Sequence, residues 1–315
     1  MHLLVPYAVA LGPGCEAALR TLALPRLEQL LARLAPDGED VRDEFTLSPP
    51  HERALARSLG LAGGDGRLPW AARAAAQDGA DPADPPRGWI TLCHWHVAPD
   101  HISMGHPEAL GLTEAESRDL LAVMAPYFAE DGITLGYAEP TRWDAHGEPL
   151  RGLASASLDR VTGRSPDLWM PDGPAARPLR RLQSEMQMLL YTHPLTDERN
   201  ARGLPAVNSF WLSGTGEWSD GARTDAPELR MPDELRQAAL HDDWAAWARA
   251  WQALDAGACA ELLACLDRGE EVRLTLCGER AALDFRSKAT GLLDRWKLRL
   301  GLAPRRRLQD LAGTL

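Results

Sequence analysis

Two groups of residues in this chain are of types that do chemistry. The first lies in residues 189–216, LLYTHPLTDERNARGLPAVNSFWLSGTG, which carry His193, Arg199, Arg202 and Asn208. Arg160 and Arg164 belong with them, in the polar run 155–164. Guanidinium forks match phosphate and carboxylate oxygens in charge and geometry. An amide on a strand can fix a ligand's orientation without adding charge. These six side chains are expected to converge on one concave surface that holds an anionic ligand, with Gly214-Thr215-Gly216 as a backbone able to approach it closely. The bland alternative is that Asp197 and Glu198 neutralise the arginines locally, leaving an ordinary surface turn. The second group is a histidine cluster, four of the nine histidines falling between positions 94 and 106. His94 and His96, two apart on a strand, project to one face. With Asp100 and His101 they could form a manganese or zinc site. The cluster has no HExxH or comparable signature, so the expectation is a polar pocket wall and no tightly bound ion.

The elements that must position these groups are legible as periodicities. His193-Pro194 ends a helix expected over 175–190, because proline disfavours helix in the residue before it. The polar residues 197–202 then read as a loop, and 207–212 (VNSFWL) as a short buried strand. Residues 89–97 alternate as one strand carrying His94 and His96. Thr113 with Glu116 three residues later is a capping box that opens a helix to 127. Residues 132–139 and 140–143 suggest paired strands, and 271–277 with 281–285 a hairpin around Gly278-Glu279. Further helices are expected from about 16, from 25, from Ser48 (as N-cap) to 59, from 68 to 78, over 241–251 and 258–268, and over 291–300. An opening buried strand is expected over 3–9. Trp244, Trp247 and Trp251 at helical spacing read as core.

Composition bounds the function. A chain of 315 residues with 45% hydrophobic content can bury a substantial core. The net charge of −11 argues against broad nucleic-acid binding, and the Arg305-Arg306-Arg307 run reads as a solvated helix end. Five cysteines without CxxC spacing read as reduced, buried thiols. No apolar run reaches membrane-spanning length, and residues 3–11 lack the flanks of a signal peptide. A cytoplasmic protein with no membrane partner is expected. GxSxG, the P-loop and a strand–GxGxxG–helix fingerprint are all missing from the sequence.

The order His-Pro, polar turn with Arg, Gly-x-Pro-Ala-x-Asn, strand and Gly-x-Gly resembles a segment of the archaeal-type cofactor-independent phosphoglycerate mutases, members of the alkaline phosphatase-like superfamily. That likeness covers residues 87–217. Nearly the full length resembles a bacterial family filed sometimes as phosphoglycerate mutase-like and sometimes as RpfE-type regulatory proteins. The resemblance implies an α/β fold: a mixed sheet flanked by helices, a shortened alkaline phosphatase-like core with an inserted α+β domain. It divides the chain into 1–86 as the N-terminal part of the core, 87–217 as the mutase-like segment and 218–315 as the C-terminal helical and hairpin part, with the Pro-rich stretch 79–86 as the first boundary. Pro25-Arg26-Leu27-Glu28 resembles the Pro-Asn-Leu-Asp-x-Leu segment that follows the nucleophile in those enzymes. The metal-binding Asp after the first strand and the C-terminal Asp-x-x-Gly-His segment have no counterpart, and Thr21 is the only hydroxyl near the nucleophile position.

A two-metal phosphotransferase needs several Asp and His ligands and a nucleophile. The expectation is therefore a non-catalytic regulatory protein or a binder of a small phosphorylated acid, without cofactor. The rivals are an active metal-dependent mutase or phosphohydrolase with rearranged ligands, and a protein-interaction module with no small ligand.

Overall fold

The computed structural model describes residues 1–80, 85–218, 222, 223, 226, 228–287 and 306–315. Its strands are β1 (His2–Val5), β2 (Leu34–Val41), β3 (Arg87–Cys93), β4 (Trp95–Val97), β5 (Ile102–Met104), β6 (Thr134–Glu139), β7 (Arg142–His146), β8 (Ser209–Gly216), β9 (Leu229–Arg230), β10 (Arg273–Cys277) and β11 (Ala281–Ser287). Its helices are α1 (Pro13–Thr21), α2 (Pro25–Arg33), α3 (Pro50–Leu59), α4 (Trp70–Gln77), α5 (Glu114–Glu130), α6 (Leu158–Val161), α7 (Arg177–Tyr191), α8 (Pro194–Ala201), α9 (Glu234–Leu240), α10 (Trp244–Leu254), α11 (Ala260–Asp267) and α12 (Leu308–Leu311). The chain forms two compact units: Met1–Glu44 with Pro49–Leu55 and Asp225–Leu315, and Phe45–Ser48 with Ala56–Thr224. The second unit is thus inserted between the parts of the first, and it reaches back across the 79–86 stretch to Ala56.

The first unit is built on a mixed sheet of order β2-β11-β10-β1-β9, in which β1 runs parallel to β10 and β9 while β10, β11 and β2 are antiparallel. Side chains alternate across a sheet. Leu3, Val5, Leu274 and Leu276 enter the large core with Leu27, Leu30, Trp247, Trp251 and Leu262 from the helices. Leu4, Cys277 and Ala282 face the other way, with Ala54. The strand expected over 3–9 stops at Val5. Pro6 has no N–H for a ladder, and Tyr7 turns the chain at φ 49. The Trp247 and Trp251 indole N–H groups donate to Tyr7 O and Ala8 O, at 2.9 and 3.1 Å, satisfying the carbonyls that leave the sheet. Helix α1 begins at Pro13 rather than near 16, since proline at the first helical positions is preorganised. Helix α3 begins at Pro50, two residues after Ser48, whose hydroxyl accepts from Gly66 N at 2.9 Å. The 278–279 hairpin forms as expected, and the helix expected over 291–300 lies outside the described residues.

The second unit is an antiparallel sheet of order β6-β7-β3-β8. Ile90, Leu92, Phe210 and Leu212 pack against Leu120, Met124 and Phe128 of α5 and Leu182, Met186 and Leu190 of α7. The Thr113–Glu116 capping box opens α5 as expected, and the helix runs through Pro126 to Glu130. The strand expected over 89–97 breaks at His94, where the chain leaves β3 for the small β4–β5 hairpin. The segment after His193 is helical, not a loop: Pro194 sits at its first position and the His193 ring caps it by accepting from Leu195 N. Proline therefore ends one helix and begins the next. No helix among the described residues is long and apolar enough to cross a membrane.

Candidate functional site

The segment between α8 and β8 is irregular, so its carbonyls lie outside the sheet ladder and need donors from elsewhere. The polar residues that surround it supply them. Arg199 Nε donates to Pro205 O at 2.9 Å, and a His94 ring nitrogen lies 2.6 Å from Ala206 O. Asn208 clasps Trp95 from both sides: its Oδ1 accepts from Trp95 N at 2.7 Å and its Nδ2 donates to Trp95 O at 2.9 Å. Further along the strand, Phe210 O accepts from Gln183 Nε2 at 3.0 Å.

This bonding pattern decides what the six expected site residues do. They do not converge. Arg199 has a fully buried side chain, with Nη2 on Leu110 O and Nη1 3.1 Å from Glu116 Oε2. Arg202 joins the same carboxylate at 3.0 Å from a half-exposed position. Glu116 is already fixed by the α5 cap, accepting from Thr113 N and from the Thr113 hydroxyl. Burial pushes the Glu116 carboxyl upward, but the Thr113 backbone and hydroxyl and the Arg199 charge outweigh it and hold it below its ordinary range. The carboxylate that both arginines meet is thus Glu116, from a distant helix, rather than Asp197 or Glu198. His193 caps its own helix. Arg160 is buried with its guanidinium on the Thr46 hydroxyl and over the Trp169 ring, and Arg164 is half-buried beside the β5 strand, whose Met104 N donates to its carbonyl. The Gly-x-Gly exit continues β8 and meets the protein itself. A Cβ on Gly214, at φ 68, would lie 2.8 Å from the Trp89 ring, and one on Gly216 would lie 2.5 Å from Arg67 O.

The histidines divide as well. His94 and His96 lie edge to face with ring centroids 4.4 Å apart. The Ala206 carbonyl can only accept, so His94 carries its proton on Nδ1. Burial holds the His94 pKa below its ordinary value, with the Ala206 bond raising it and His96 lowering it, which keeps the ring neutral at pH 7. His101 pairs with Asp100 at 2.8 Å on the exposed hairpin tip. Among the described residues, no three His, Cys, Asp or Glu side chains gather in a metal-binding group.

What the clasp at Asn208 does position is a cleft of about 380 Å³ in the second unit. Trp95 forms one wall and the polar stripe Arg180, Gln183, Ser184 and Gln187 of α7 another, with Asp167 and Met170 at the rim. The spacing i, i+3, i+4, i+7 puts these four on one helix face. Arg180 is anchored by Nε on Pro171 O at 2.9 Å and by Nη2 on Asp172 at 3.2 Å, and among the described residues its Nη1 has no hydrogen bond. The Ser184 hydroxyl donates back to Arg180 O at 3.2 Å, leaving its lone pairs as acceptors. The signal for this site was in the sequence: Gln183 sits between Leu182 and Met186 where the helix turns inward, a polar residue 5% exposed. The charged pair Arg181 and Glu185 draws the eye instead, and it is a surface pair, with Arg181 also bonded to Asp131.

No family model and no curated protein matches this sequence. Among solved structures, the chain is similar to a cofactor-independent phosphoglycerate mutase from Thermoplasma acidophilum, at 13% identity and a TM-score of 0.38, over 100% of this chain and 95% of that one. It is also similar to a Pyrococcus horikoshii protein at 12% identity and a TM-score of 0.42, over 91% of this chain and 87% of the other.

Proposed function

We propose that this protein binds a small phosphorylated acid in the α7 cleft, and does so as a non-catalytic regulatory protein of the RpfE-type, phosphoglycerate mutase-like kind. The observation that carries the reading is Arg180: a guanidinium held in place at two nitrogens, with a third at the edge of a cleft walled by an aromatic ring. A fixed guanidinium presents its remaining donors to a phosphate or carboxylate oxygen with little further loss of side-chain freedom. The Gln187 amide on the same face adds a neutral donor, and Trp95 shields the contact from water on one side. The buried residues Arg199 and Glu116 then belong to the scaffold, together with Asn208, which acts as a positioning residue for Trp95.

The test is a thermal shift of the intact protein with 3-phosphoglycerate. Millimolar ligand at a hundredfold excess over Kd corresponds to about 2.7 kcal/mol of stabilisation. Arg180→Ala should abolish the shift while leaving the unliganded Tm within a few degrees, since the side chain is 47% exposed. An unchanged shift in Arg180→Ala would overturn the assignment of the site. Turnover of 3-phosphoglycerate that depends on added manganese would favour the enzyme reading instead. A specific observation also favours a second reading, an interaction module: Met188 and Tyr191, on the continuation of the same α7 face, are 69% and 78% exposed. Absence of any shift with phosphorylated acids, together with capture of a defined partner that Tyr191→Ala abolishes, would favour it.

A further inference from the structure

His94 and His96 take no part in the α7 cleft. Trp95, between them in sequence, lines that cleft, while the two imidazoles meet each other with centroids 4.4 Å apart. The surroundings of His94 are those of a metal-binding histidine. Its Nδ1–H is held by the Ala206 carbonyl at 2.6 Å, which leaves Nε2 as a bare lone pair on a ring of fixed orientation. A histidine ligand almost always donates its other ring N–H in this way. The His94 backbone is fixed as well, its carbonyl accepting from Gly105 N at 2.8 Å. His96 is exposed, so its ring can turn toward a shared ion. Gly105 keeps the space this needs: a Cβ there would come within 3.1 Å of His96 Nε2 and 3.3 Å of His94 O.

We infer that His94 and His96 form a two-histidine site for a divalent late transition ion that prefers imidazole, such as nickel, copper or zinc. Two imidazoles sharing one ion through bonds of about 2.0–2.1 Å have centroids roughly 4.5–5 Å apart, for bond angles from a right angle to tetrahedral. At 4.4 Å the rings therefore need only turn, not travel. The short separation favours ligands close to a right angle, the arrangement of tetragonal nickel and copper. No third His, Cys, Asp or Glu among the described residues completes a metal-binding group with them. Solvent fills the remaining positions, and the ion exchanges readily. Manganese is better served by carboxylate and water oxygens, so this pair discriminates against it. The site does not depend on the binding reading of the cleft.

Nickel is the probe, titrated calorimetrically into the intact protein. One ion per chain should bind, and manganese should bind at least roughly tenfold more weakly. Loss of an outer-shell partner alone commonly costs about 10–100-fold in metal affinity, so His94→Gln and His96→Gln should each weaken nickel binding by roughly tenfold or more. His101→Gln is the control. Its ring pairs with Asp100 on the exposed hairpin tip, and nickel affinity should stay within about twofold. Absence of nickel binding at one equivalent overturns the inference. So does an affinity that His96→Gln leaves within about twofold, or manganese bound as tightly as nickel. If His94→Gln fails to fold through loss of the Ala206 bond, the exposed His96→Gln decides the matter alone.

Discussion

A guanidinium without access to water is costly unless its charge is answered, and Arg199 shows how this fold answers one, with Nε and Nη2 on carbonyls and Nη1, which makes no hydrogen bond, beside a carboxylate. Two carbonyls and the Glu116 carboxylate surround it. Removing one partner of a buried ion pair leaves an uncompensated charge, so Arg199→Ala should cost about 3–5 kcal/mol in urea unfolding. Arg202→Ala, removing a 56% exposed side chain from the same carboxylate, should cost ~0–1 kcal/mol. The sign of the acid response follows from Glu116. Its folded pKa lies below the ordinary value, so its contribution is present above the unfolded carboxyl pKa of about 4.3 and is lost as the pH falls through the lower folded value. Glu116→Gln should flatten the fall in stability over that acid window. A stability profile of this variant that parallels the wild type below pH 4 would contradict the role given to the carboxylate.

At the scale of elements, β8 joins the parts of the site. Asn208 fixes the Trp95 wall, Phe210 O orients Gln183, and the preceding carbonyls hold Arg199 and His94. The far end of the strand is constrained by close packing. Gly216 lies where a Cβ would approach Arg67 O to 2.5 Å and Pro69 N to 2.7 Å, both backbone atoms that cannot step aside. Gly216→Ala should therefore destabilise by about 1–3 kcal/mol, the usual cost of overpacking. Gly152→Ala tests a different cause: nothing lies within 4 Å of a Cβ there, so its cost comes from the positive φ of 66 alone, about 1–2 kcal/mol. Thermal unfolding of both variants checks the ranking, with Gly216→Ala at least as destabilised.

At the scale of the molecule, the two units differ in how the chain builds them. The first draws its sheet from both ends of the sequence: β1 is paired with β9 and β10, and β2 with β11. The second has its four-stranded sheet, α4, α5, α7 and the cleft within residues 56–224. A fragment of residues 45–224 is accordingly expected to fold with dispersed amide resonances and a cooperative transition, because its core cluster is complete within it. A fragment of residues 1–80 should stay unfolded, lacking every β-strand partner of β1. Collapse of the 45–224 fragment to a molten state would show that its core is insufficient alone.

Signals that act over a few residues could be read directly from the sequence. The Thr113–Glu116 capping box, the 278–279 hairpin, the Trp247 and Trp251 core positions and the buried run 207–212 each depend on neighbours within one or two turns or along one strand. The α/β class follows from the same patterning. What the tertiary structure alone decided is which partner each polar side chain meets. Asn208 and Trp95 are 113 residues apart in the chain, and Arg202 and Glu116 are 86 apart. Nothing local tells an arginine that binds an anion from one that answers a distant carboxylate. Residue type and spacing single out the polar residues around β8, but not the partner each one meets. The choice between ligand and scaffold was made by burial, because an inward-facing polar group must be satisfied from within the protein before it can serve anything outside.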